Sequence, residues 1–585
     1  MDTRRRLKLE LRVAAFLLGI IALIPVVVSN DYWLGVLIVS MYFAMVATGW
    51  NILAGYTGQF SFAPATFGML GAYVTGLAGF HFGLPAFAGI PAAIVVSAMI
   101  GFLLGRIVLR LHGPYLALTT LAFAEVVRAA ISNSMSITRG DLGLNVEAIP
   151  VSRVGYYYFF LGALLLVVSM TFGLLRSRAG LFLQAIRDDE IAASSRGVNV
   201  VTWKVVAFTL SAAIGGLAGA LYAHFAQLIS PELGLLSQSG MIVSMVVIGG
   251  MGSLVGPLAG AFLVYYLSEL LRDAGGYQHI VFALLVIIFA RFFREGLWGF
   301  TRALTPVAAI PSPTVAETNS KSDGDRSISV GRVAPPDAST SSPILSVEAL
   351  SKNFGGLQAV KSASFDVAEG EIVGLIGPNG SGKTTLLNIL SGHYRADTGV
   401  VRLDGQAVQN ARTNELAGKG LLRMFQLTRI FRRMSAFDNL MVAGRALGLS
   451  ESEAQRRANA LLQDLGLTGV AHLDAGRLSG GQAKLVEFGC CFIVPPRVVL
   501  LDEPFAAIHP TIKDVMAKFI LKRNALGQTF VIVSHDMPII AELCTTAVCM
   551  NAGEVIAAGK TRDVLSNPLV IESYLGEEHD RATHS

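Results

Sequence analysis

Apolar positions are distributed very unevenly along the chain, and most lie in its first half. Long apolar segments follow one another there at about residues 13–29, 33–54, 65–85, 86–108, 115–131, 155–175, 205–226, 239–271 and 279–293. Several of these segments are long enough to cross about 30 Å of hydrocarbon as helices. The pattern predicts a polytopic α-helical membrane domain over residues 1–303.

The charges between the segments predict how this domain is oriented. A basic group, Arg4-Arg5-Arg6 with Lys8, precedes the first segment, which has the look of a signal peptide. No small-residue cleavage site follows it, so a retained anchor helix is the preferred interpretation. Further basic residues mark cytoplasmic stretches, because positive charge favours that side of the membrane: Arg176, Arg178, Arg187, Arg196, Lys204, Arg291 and Arg294.

The number of membrane crossings depends on how the apolar segments are divided. A cytoplasmic N-terminus and a cytoplasmic second half require an even number, yet nine segments are present. Segment 239–271 would be about 50 Å long as one helix, and Gly249-Gly250-Met251-Gly252-Ser253 interrupts it. It predicts two short crossings or a broken helix, and about 8 to 10 crossings in all. The break is a candidate wall of a translocation path or a place of tight helix packing.

After the apolar half comes a stretch of different composition. Residues 304–343 are rich in Pro, Ser, Thr and Asp and are too polar to form a core, which predicts a flexible linker. Residues 344–585 follow the linker, and we expect a second domain there.

The second domain contains a phosphate-binding loop. Residues 377–384 match G-x-x-x-x-G-K-[ST], between the apolar run 372–376 and a helix that starts at about Thr385. Glycines let backbone N–H groups converge on phosphate oxygens, while the lysine adds a charge and the threonine a hydroxyl for Mg²⁺. The residues predicted to bind ATP here are Gly377, Pro378, Asn379, Gly380, Ser381, Gly382, Lys383, Thr384 and Thr385.

Four more motifs follow the loop in order: Phe425-Gln426, Leu478-Ser479-Gly480-Gly481-Gln482, Val498-Val499-Leu500-Leu501-Asp502-Glu503-Pro504 and Val531-Ile532-Val533-Ser534-His535. With them the chain resembles the ATP-binding cassette (ABC) ATPases, with their Q-loop, signature, Walker B strand and switch histidine. The predicted fold is therefore a polytopic α-helical membrane domain fused to an α/β P-loop ABC ATPase domain.

The resemblance and the residue chemistry assign the same roles. Asp502, with Thr384 and Gln426, is expected to hold Mg²⁺. Glu503 is suited to polarise the attacking water, and His535 to hydrogen-bond the γ-phosphate. Gln426 is also expected to sense that phosphate. Phe354 matches the position that stacks on adenine in the family, the alternative being core packing.

The signature residues imply a partner. In the family, Ser479, Gly480, Gly481 and Gln482 would serve the nucleotide of an opposing ATPase domain, so a chain with one such domain must dimerise to hydrolyse ATP. His509 departs from the family pattern, where a carboxylate or amide commonly couples the two sites. It is a tolerated variant or a change in that coupling.

The membrane half resembles one branch of the superfamily. Glu190, Ala192, Ala193 and Gly197 resemble the coupling loop of ABC importer permeases, with the glutamate displaced by one position. The alternative is an ordinary amphipathic loop helix. Further stretches are similar to permeases of branched-chain amino acid importers: 55–62, 67–73, 111–115, 119–125 and 249–253. Pro64 departs from that pattern, where the family often has His.

Glu125 and Arg128 are the ionisable residues of one membrane segment. Three positions apart on a helix, they share a face and can pair there. Such groups inside a membrane are candidates for function. They form a structural ion pair or contribute to the transport path.

Composition excludes some other classes. The net charge is +5, with no basic stripe interleaved with aromatics, so nucleic acid is not an expected partner. The four cysteines show no metal-ligand spacing and no disulfide pattern, which is typical of reduced thiols in the cytosol.

Together these features predict a fused permease and ATPase of an inner-membrane importer, driven by ATP with Mg²⁺, for branched-chain amino acids or related small polar solutes. The resemblance implies an extracytoplasmic solute-binding protein and a second permease and ATPase, from another copy or related subunits. An exporter of the same superfamily is one alternative. A membrane-anchored ATPase regulator that transports nothing is another.

Overall fold

The computed structural model describes residues 3–28, 30–108, 111, 113–272, short pieces between 283 and 299, and 343–574. The described residues form two compact units. The first comprises the described residues up to Arg187 and those that follow from Val200 to residue 299. The second comprises Asp188–Asn199 together with the residues from 343 onward. The predicted linker and most of segment 279–293, with Arg294, lie outside the described residues.

The first unit is helical, as the apolar segments predicted. Its helices begin and end close to those segments: α1 (Thr3–Val27), α2 (Asp31–Thr57), α3 (Pro64–Phe82), α4 (Ala86–Val108), α5 (Pro114–Asn133), α6 (Met135–Thr138), α7 (Arg153–Arg176), α8 (Arg178–Asp188), α10 (Val200–Ala226), α11 (Leu236–Gly249) and α12 (Gly256–Leu270). Within the described residues, six helices are long and apolar enough to cross a membrane. A two-residue ribbon, β1 (Leu144–Asn145) with β2 (Leu228–Ile229), joins two of the connections.

Segment 239–271 is broken, as the glycines predicted. Helix α11 ends at Gly249 and α12 begins at Gly256. Side chains from α2 and α1 satisfy the backbone between them: Asn51 Nδ2 donates to Ser253 O at 2.9 Å, Gly252 N donates to Asn51 Oδ1 at 2.8 Å, and Leu254 N donates to Glu10 Oε2 at 2.8 Å. Irregular backbone at membrane depth needs such internal partners.

The helices around the break pack tightly. A Cβ at Gly249 would lie 1.8 Å from Gly256 O, and one at Gly260 would lie 1.8 Å from Met245 O. Small residues allow this approach of two helix backbones. The break is therefore a site of tight helix packing, while a role in a translocation path stays a prediction.

Close packing at glycines also joins α3 to α10. A Cβ at Gly219 would lie 1.8 Å from Gly68 O, and one at Gly71 would lie 2.2 Å from Gly216 O. Both close approaches lie along one face of α10, so the two helices meet backbone to backbone.

Glu125 and Arg128 form the ion pair that their spacing predicts. Arg128 Nη2 donates to Glu125 Oε2 at 2.8 Å, and Arg128 Nε donates to the same oxygen at 3.0 Å. The side chains are 42% and 29% exposed, respectively.

The second unit is of the α/β class. Its strands are β3 (Leu345–Phe354), β4 (Leu357–Val367), β5 (Ile372–Ile376), β6 (Thr398–Leu403), β7 (Gln406–Ala407), β8 (Leu421–Met424), β9 (Val498–Asp502), β10 (Thr529–Val533), β11 (Thr546–Asn551) and β12 (Glu554–Lys560). Its helices are α9 (Glu190–Ser195), α13 (Lys383–Leu390), α14 (Thr413–Gly418), α15 (Ala436–Ala446), α16 (Glu451–Asp464), α17 (Gly480–Cys490), α18 (Pro510–Asn524), α19 (Met537–Leu543) and α20 (Thr561–Leu565).

Two sheets organise this unit. The larger has the order β12-β11-β5-β10-β9-β8, and the smaller the order β4-β3-β6-β7. Strands β5, β9 and β10 are buried along their whole length and pair in parallel. Continuous apolar runs suit strands covered on both faces.

The register of the parallel strands positions the site. Val533 pairs with Leu375 on one side and with Asp502 on the other. The carboxyl ends of β5, β10 and β9 therefore meet at one edge of the sheet. The phosphate-binding loop, the Walker B carboxylates and His535 all follow those ends.

Candidate nucleotide-binding site

The phosphate-binding loop joins the end of β5 to the start of α13. Gly377, Gly380 and Gly382 have φ values of 145°, 76° and 100°. At Gly377 a Cβ would also lie 2.2 Å from Met550 O. Only glycine tolerates this combination of left-handed backbone and close approach. The loop curls before a helix N-terminus, where backbone N–H groups favour an anion.

Lys383 lies inside this curl and is buried. Its Nζ donates to Gly377 O and Pro378 O, each at 2.7 Å. Thr384, the next residue, is exposed at the first turn of α13. The lysine amine is therefore held by the carbonyl groups of the loop, whereas Thr384 is open to solvent.

The C-terminal end of the described chain also contacts the loop. Residues 568–574 contain a helix, and Gly377 N donates to Tyr574 Oη at 2.6 Å. No motif in the sequence predicts this contact.

Asp502 and Glu503 lie at the end of β9, and His535 lies just after β10. His535 Nε2 is 3.3 Å from Glu503 Oε1, with the Glu503 side chain 9% exposed. Burial raises the pKa of the Glu503 carboxyl, and the neighbouring His535 opposes that rise. Glu503 has a φ of 50°, an uncommon value for a residue other than glycine that is characteristic of functional sites. The structure thus brings the predicted base and the predicted switch histidine together.

The donors proposed for Mg²⁺ are of the type this ion accepts. Asp502 offers a carboxylate, Thr384 a hydroxyl and Gln426 an amide oxygen, all hard oxygen ligands. No group of three or more His, Cys, Asp or Glu suited to a metal occurs among the described residues. Mg²⁺ usually takes one or two carboxylates and fills its remaining positions with water and substrate phosphates, so the donor set fits.

The signature residues start α17. Ser479 caps the helix: its Oγ accepts from Gln482 N at 3.3 Å, while Gln482 Oε1 accepts from Ser479 N at 3.0 Å. This reciprocal pair is a capping box. Ser479 and Gly480 are exposed, so their backbone N–H groups are accessible from outside the unit.

Phe354 lies at the end of β3, and its side chain is 43% exposed. Its ring meets Tyr394 edge to face at 5.3 Å, and Lys352 Nζ lies 5.5 Å from the ring centre. A ring exposed to this degree contributes little to a core and has a face free to stack. Stacking on adenine stays a prediction.

The predicted coupling loop, Glu190–Gly197, lies within residues 188–199, here called the coupling segment, which belong to the second unit. Asp189 caps α9 by accepting from Ala192 N at 2.9 Å, and Ala192 and Ala193 are buried. Gly197 has a φ of 91°, and a Cβ there would lie 2.9 Å from Leu447 Cδ2. The small residues of the motif thus allow a close contact with the ATPase fold, and Glu190 begins the helix.

Charged side chains hold this segment to the ATPase fold, and of these only Arg196 was noted from the sequence, as a marker of a cytoplasmic stretch. Arg429 Nη1 pairs with Asp189 Oδ2 at 2.8 Å. Arg196 is buried: it donates to Arg429 O at 2.7 Å and to Asn439 Oδ1 at 3.2 Å, and its guanidinium lies 4.4 Å from the centre of the Phe431 ring. The sequence feature that could have indicated this attachment is Arg196, a basic residue directly before Gly197 of the predicted coupling loop.

Glu487 connects the signature helix to the Q-loop. It is 3% exposed on α17, and its Oε1 accepts from Phe425 N at 3.2 Å, one residue before Gln426. Burial raises the pKa of this carboxyl to about 7. Gln426 itself is exposed. A movement of the Q-loop therefore acts directly on α17.

Lys484 and His509 both stabilise the chain that follows β9. Lys484 Nζ donates to Glu503 O at 3.0 Å and to Ala506 O at 2.9 Å, tying α17 to the loop after β9. His509 is the N-cap of α18, where its Nδ1 accepts from Thr511 N at 3.4 Å. A capping function explains how histidine is accommodated where the family commonly has Asp or Asn, both also good caps.

The four cysteines are free and buried. Burial raises the pKa of the Cys490 and Cys544 thiols, the latter to about 12. Inert thiols of this kind agree with the prediction of reduced cysteines.

Three family profiles match the chain. Residues 32–290 match the permease component of the branched-chain amino acid transport system. Residues 360–506 match the ABC transporter profile, and residues 554–580 match a profile described as branched-chain amino acid ATP-binding cassette transporter.

Curated relatives cover the second unit. A high-affinity branched-chain amino acid transport ATP-binding protein of Pseudomonas aeruginosa is 37% identical over 253 residues, which is 40% of this chain and 99% of that protein. A protein of the same description from Escherichia coli K12 is 35% identical over 253 residues, again 40% of this chain and 99% of that protein. A crystal structure of the ADP conformation of an ATP-binding cassette of an ABC transporter is 32% identical, with a TM-score of 0.36, and covers 40% of this chain and all of that chain.

Proposed function

Because the chain belongs to the branched-chain amino acid ABC transporter family, with a permease part and an ATPase part on one polypeptide, we propose that it imports branched-chain amino acids or related small polar solutes across the inner membrane. It is a multi-pass membrane protein whose second unit is an ATP-hydrolysing cassette. The proposal adds the direction of transport and the class of substrate to what the family membership shows.

The observation that carries the proposal is the attachment of residues 188–199 to the ATPase fold. This segment belongs by sequence to the permease half, yet Arg196 and Asp189 are bound to residues that follow Gln426. The small residues Ala192, Ala193 and Gly197 resemble the motif of importer permeases. Nucleotide-driven movement of the Q-loop therefore has a direct connection to a permease segment.

The chain's own residues perform defined parts of the hydrolysis. The phosphate-binding loop with Lys383 binds the phosphates, and Asp502, Thr384 and Gln426 would hold Mg²⁺, which would supply positive charge for the phosphoryl oxygens. Glu503 accepts a hydrogen bond from the attacking water and orients it. His535, 3.3 Å from Glu503, is placed to hydrogen-bond the γ-phosphate.

One chain supplies half of each composite site. Ser479 and Gly480 are exposed at the N-terminus of α17, where they would meet the nucleotide of a second ATPase domain. We therefore propose a complex with a second permease and a second ATPase, from another copy or related subunits, and with an extracytoplasmic solute-binding protein that determines most of the specificity.

The experiment is uptake of labelled leucine into cells that carry the chain with its native neighbours. Wild type is compared with Glu503→Gln and with Glu554→Gln as a control, since the Glu554 side chain is 60% exposed. Unlabelled valine, urea and aromatic acids serve as competitors. Loss of uptake in Glu503→Gln alone supports ATP-driven import, while efflux driven by ATP would support an exporter. Equal uptake in all three strains would exclude leucine as the substrate.

A further inference from the structure

Arg423 forms a fully buried ion pair with the Walker B aspartate. Arg423 Nη2 lies 2.9 Å from Asp502 Oδ2, and the two side chains are 3% and 2% exposed. Arg423 is on β8 and Asp502 is on β9, adjacent parallel strands. A buried charge is tolerated only when it is paired and hydrogen-bonded, so this pair holds both side chains in one arrangement.

The remaining contacts of Arg423 fix its guanidinium. Arg423 Nη1 donates to Asn388 Oδ1 at 2.5 Å and to Ser391 Oγ at 3.0 Å, both at the end of α13. The guanidinium also lies 4.8 Å from the centre of the Phe425 ring. Arg423 therefore joins the phosphate-binding helix, the Q-loop strand and the Walker B strand.

The far side of Arg423 borders a small cavity under the coupling segment. Its free volume is about 10 Å³, the space of roughly one water molecule. Two buried polar atoms next to it, Arg423 Nε and Glu487 Oε2, have no hydrogen-bond partner among the protein atoms. The residues that the coupling segment contributes to its wall are Ala192, Ser195 and Arg196.

We propose that Arg423 is a positioning residue that holds the Asp502 carboxylate in place for Mg²⁺ and connects it to the pocket of the coupling segment. The inference rests on the proposed function, since it assigns Asp502 to the metal. Residues that hydrogen-bond a metal-binding carboxylate typically change metal affinity by about 10 to 100-fold when they are replaced.

The test compares Arg423→Met, Arg423→Lys and Arg523→Met in the full chain. Arg523 is the control because, although only half-buried, it also stacks on an aromatic ring, at 4.9 Å (Phe519), and has a buried Nε without a hydrogen-bond partner. Titration with Mn²⁺ in the presence of a non-hydrolysable ATP analogue, followed by electron paramagnetic resonance, measures metal affinity independently of catalysis. Binding of a fluorescent ATP analogue in EDTA reports whether the phosphate-binding loop is intact.

We expect Arg423→Met to weaken Mn²⁺ binding by about tenfold or more while nucleotide affinity in EDTA stays within about twofold. Arg423→Lys keeps the positive charge but loses the planar guanidinium, so we expect a smaller loss of Mn²⁺ affinity than in Arg423→Met. If Arg423→Met does not fold, the lysine variant decides. Metal affinity equal to wild type, or tighter, in the Arg423 variants would overturn the proposal.

The connection to the coupling segment is tested with Arg196→Ala. We expect this change to shift the Mn²⁺ affinity of wild type and to have no further effect in the Arg423→Met background, because the effects of residues coupled through a shared cavity are not additive. Additive shifts would overturn the connection. Neither measurement involves a transported solute, so both outcomes are independent of substrate and direction.

Discussion

Glu503 and His535 face each other across the ends of two adjacent strands, with Glu503 Oε1 3.3 Å from His535 Nε2. Strands β9 and β10 pair in parallel up to Asp502 and Val533, which places the residues that follow them side by side. Glu503, the predicted base, and His535, the predicted contact of the γ-phosphate, therefore interact directly with each other.

This coupling predicts a pH effect of His535. Burial raises the pKa of Glu503 and His535 lowers it. Glu503 must be ionised to orient water, so hydrolysis falls as the pH drops through its pKa. His535→Ala removes the opposing effect, and we expect the acid limb of the pH–rate profile to move to higher pH. The profile of kcat for ATP hydrolysis measures this shift. A limb that stays in place or moves to lower pH would contradict the coupling.

Glu487 predicts a pH dependence of stability. Its pKa is about 7 in the folded protein and about 4.3 in an unfolded chain, so between these values the folded state binds more protons. The contribution of Glu487 to the free energy of unfolding is fully present below about pH 4.3. It falls by about 3 kcal/mol as the pH rises to about 7. Glu487→Gln keeps the acceptor for Phe425 N without the charge. We expect it to raise the thermal midpoint of the detergent-solubilised protein more at pH 8 than at pH 5.

The control for this experiment is Glu453→Gln. Glu453 pairs with Arg457 at 2.5 Å on α16, which lowers the pKa of its carboxyl, so Glu453 is ionised at both pH 5 and pH 8 and its replacement has the same effect at both. An equal gain at both pH values in Glu487→Gln would show that Glu487 does not titrate in this range.

Arg196 predicts a separation of hydrolysis from transport. Its guanidinium binds Arg429 O and Asn439 Oδ1 and stacks on Phe431. Arg196→Ala removes all three contacts, and none of them involves a residue of the phosphate-binding loop. We expect transport per ATP hydrolysed to fall about tenfold, consistent with the loss of charge-assisted hydrogen bonds from a buried site. Arg178→Ala, at an exposed position of α8, is the control. Unchanged transport per ATP would remove Arg196 from the coupling.

His509 predicts a local stability effect. Its Nδ1 accepts from Thr511 N at the start of α18. His509→Asn retains a good cap, whereas His509→Ala removes it at a cost of about 1 kcal/mol. Thermal unfolding of the two variants distinguishes these cases. If the alanine variant is as stable as the asparagine variant, the cap has no energetic role.

The close approach of α3 and α10 predicts that alanine is tolerated at one glycine and not at another. At Gly219 a Cβ would lie 1.8 Å from Gly68 O, whereas at Gly162 it would meet nothing within 4 Å. We expect Gly219→Ala to lower the thermal midpoint and the yield of folded protein, and Gly162→Ala to leave both unchanged. Equal behaviour of the two variants would contradict backbone contact between these helices.

Sequence alone predicted the parts of the molecule whose chemistry requires fixed spacing. The phosphate-binding loop needs glycines at set positions, and the Walker B carboxylates must follow an apolar strand, so both were recognisable. The break after Gly249 was also visible because glycines interrupt a segment too long for one helix.

The residues that sequence did not reveal act across long separations in the chain. Arg423 reaches Asp502 over 79 residues, and Asp189 reaches Arg429 over 240. No periodicity encodes such contacts, which depend on how strands and helices are packed. A weak signal was present: Arg423 and Glu487 are charged residues inside otherwise apolar runs, where a buried partner is required.

The most direct test of the account is leucine transport into proteoliposomes that contain the purified complex with this chain, with ATP and Mg²⁺ on the side of the ATPase domain and the solute-binding protein on the other. The account predicts that labelled leucine moves toward the ATPase side in wild type and that Glu503→Gln abolishes this movement while still binding ATP. Movement away from the ATPase side, or equal movement in the Glu503→Gln complex, would contradict ATP-driven import.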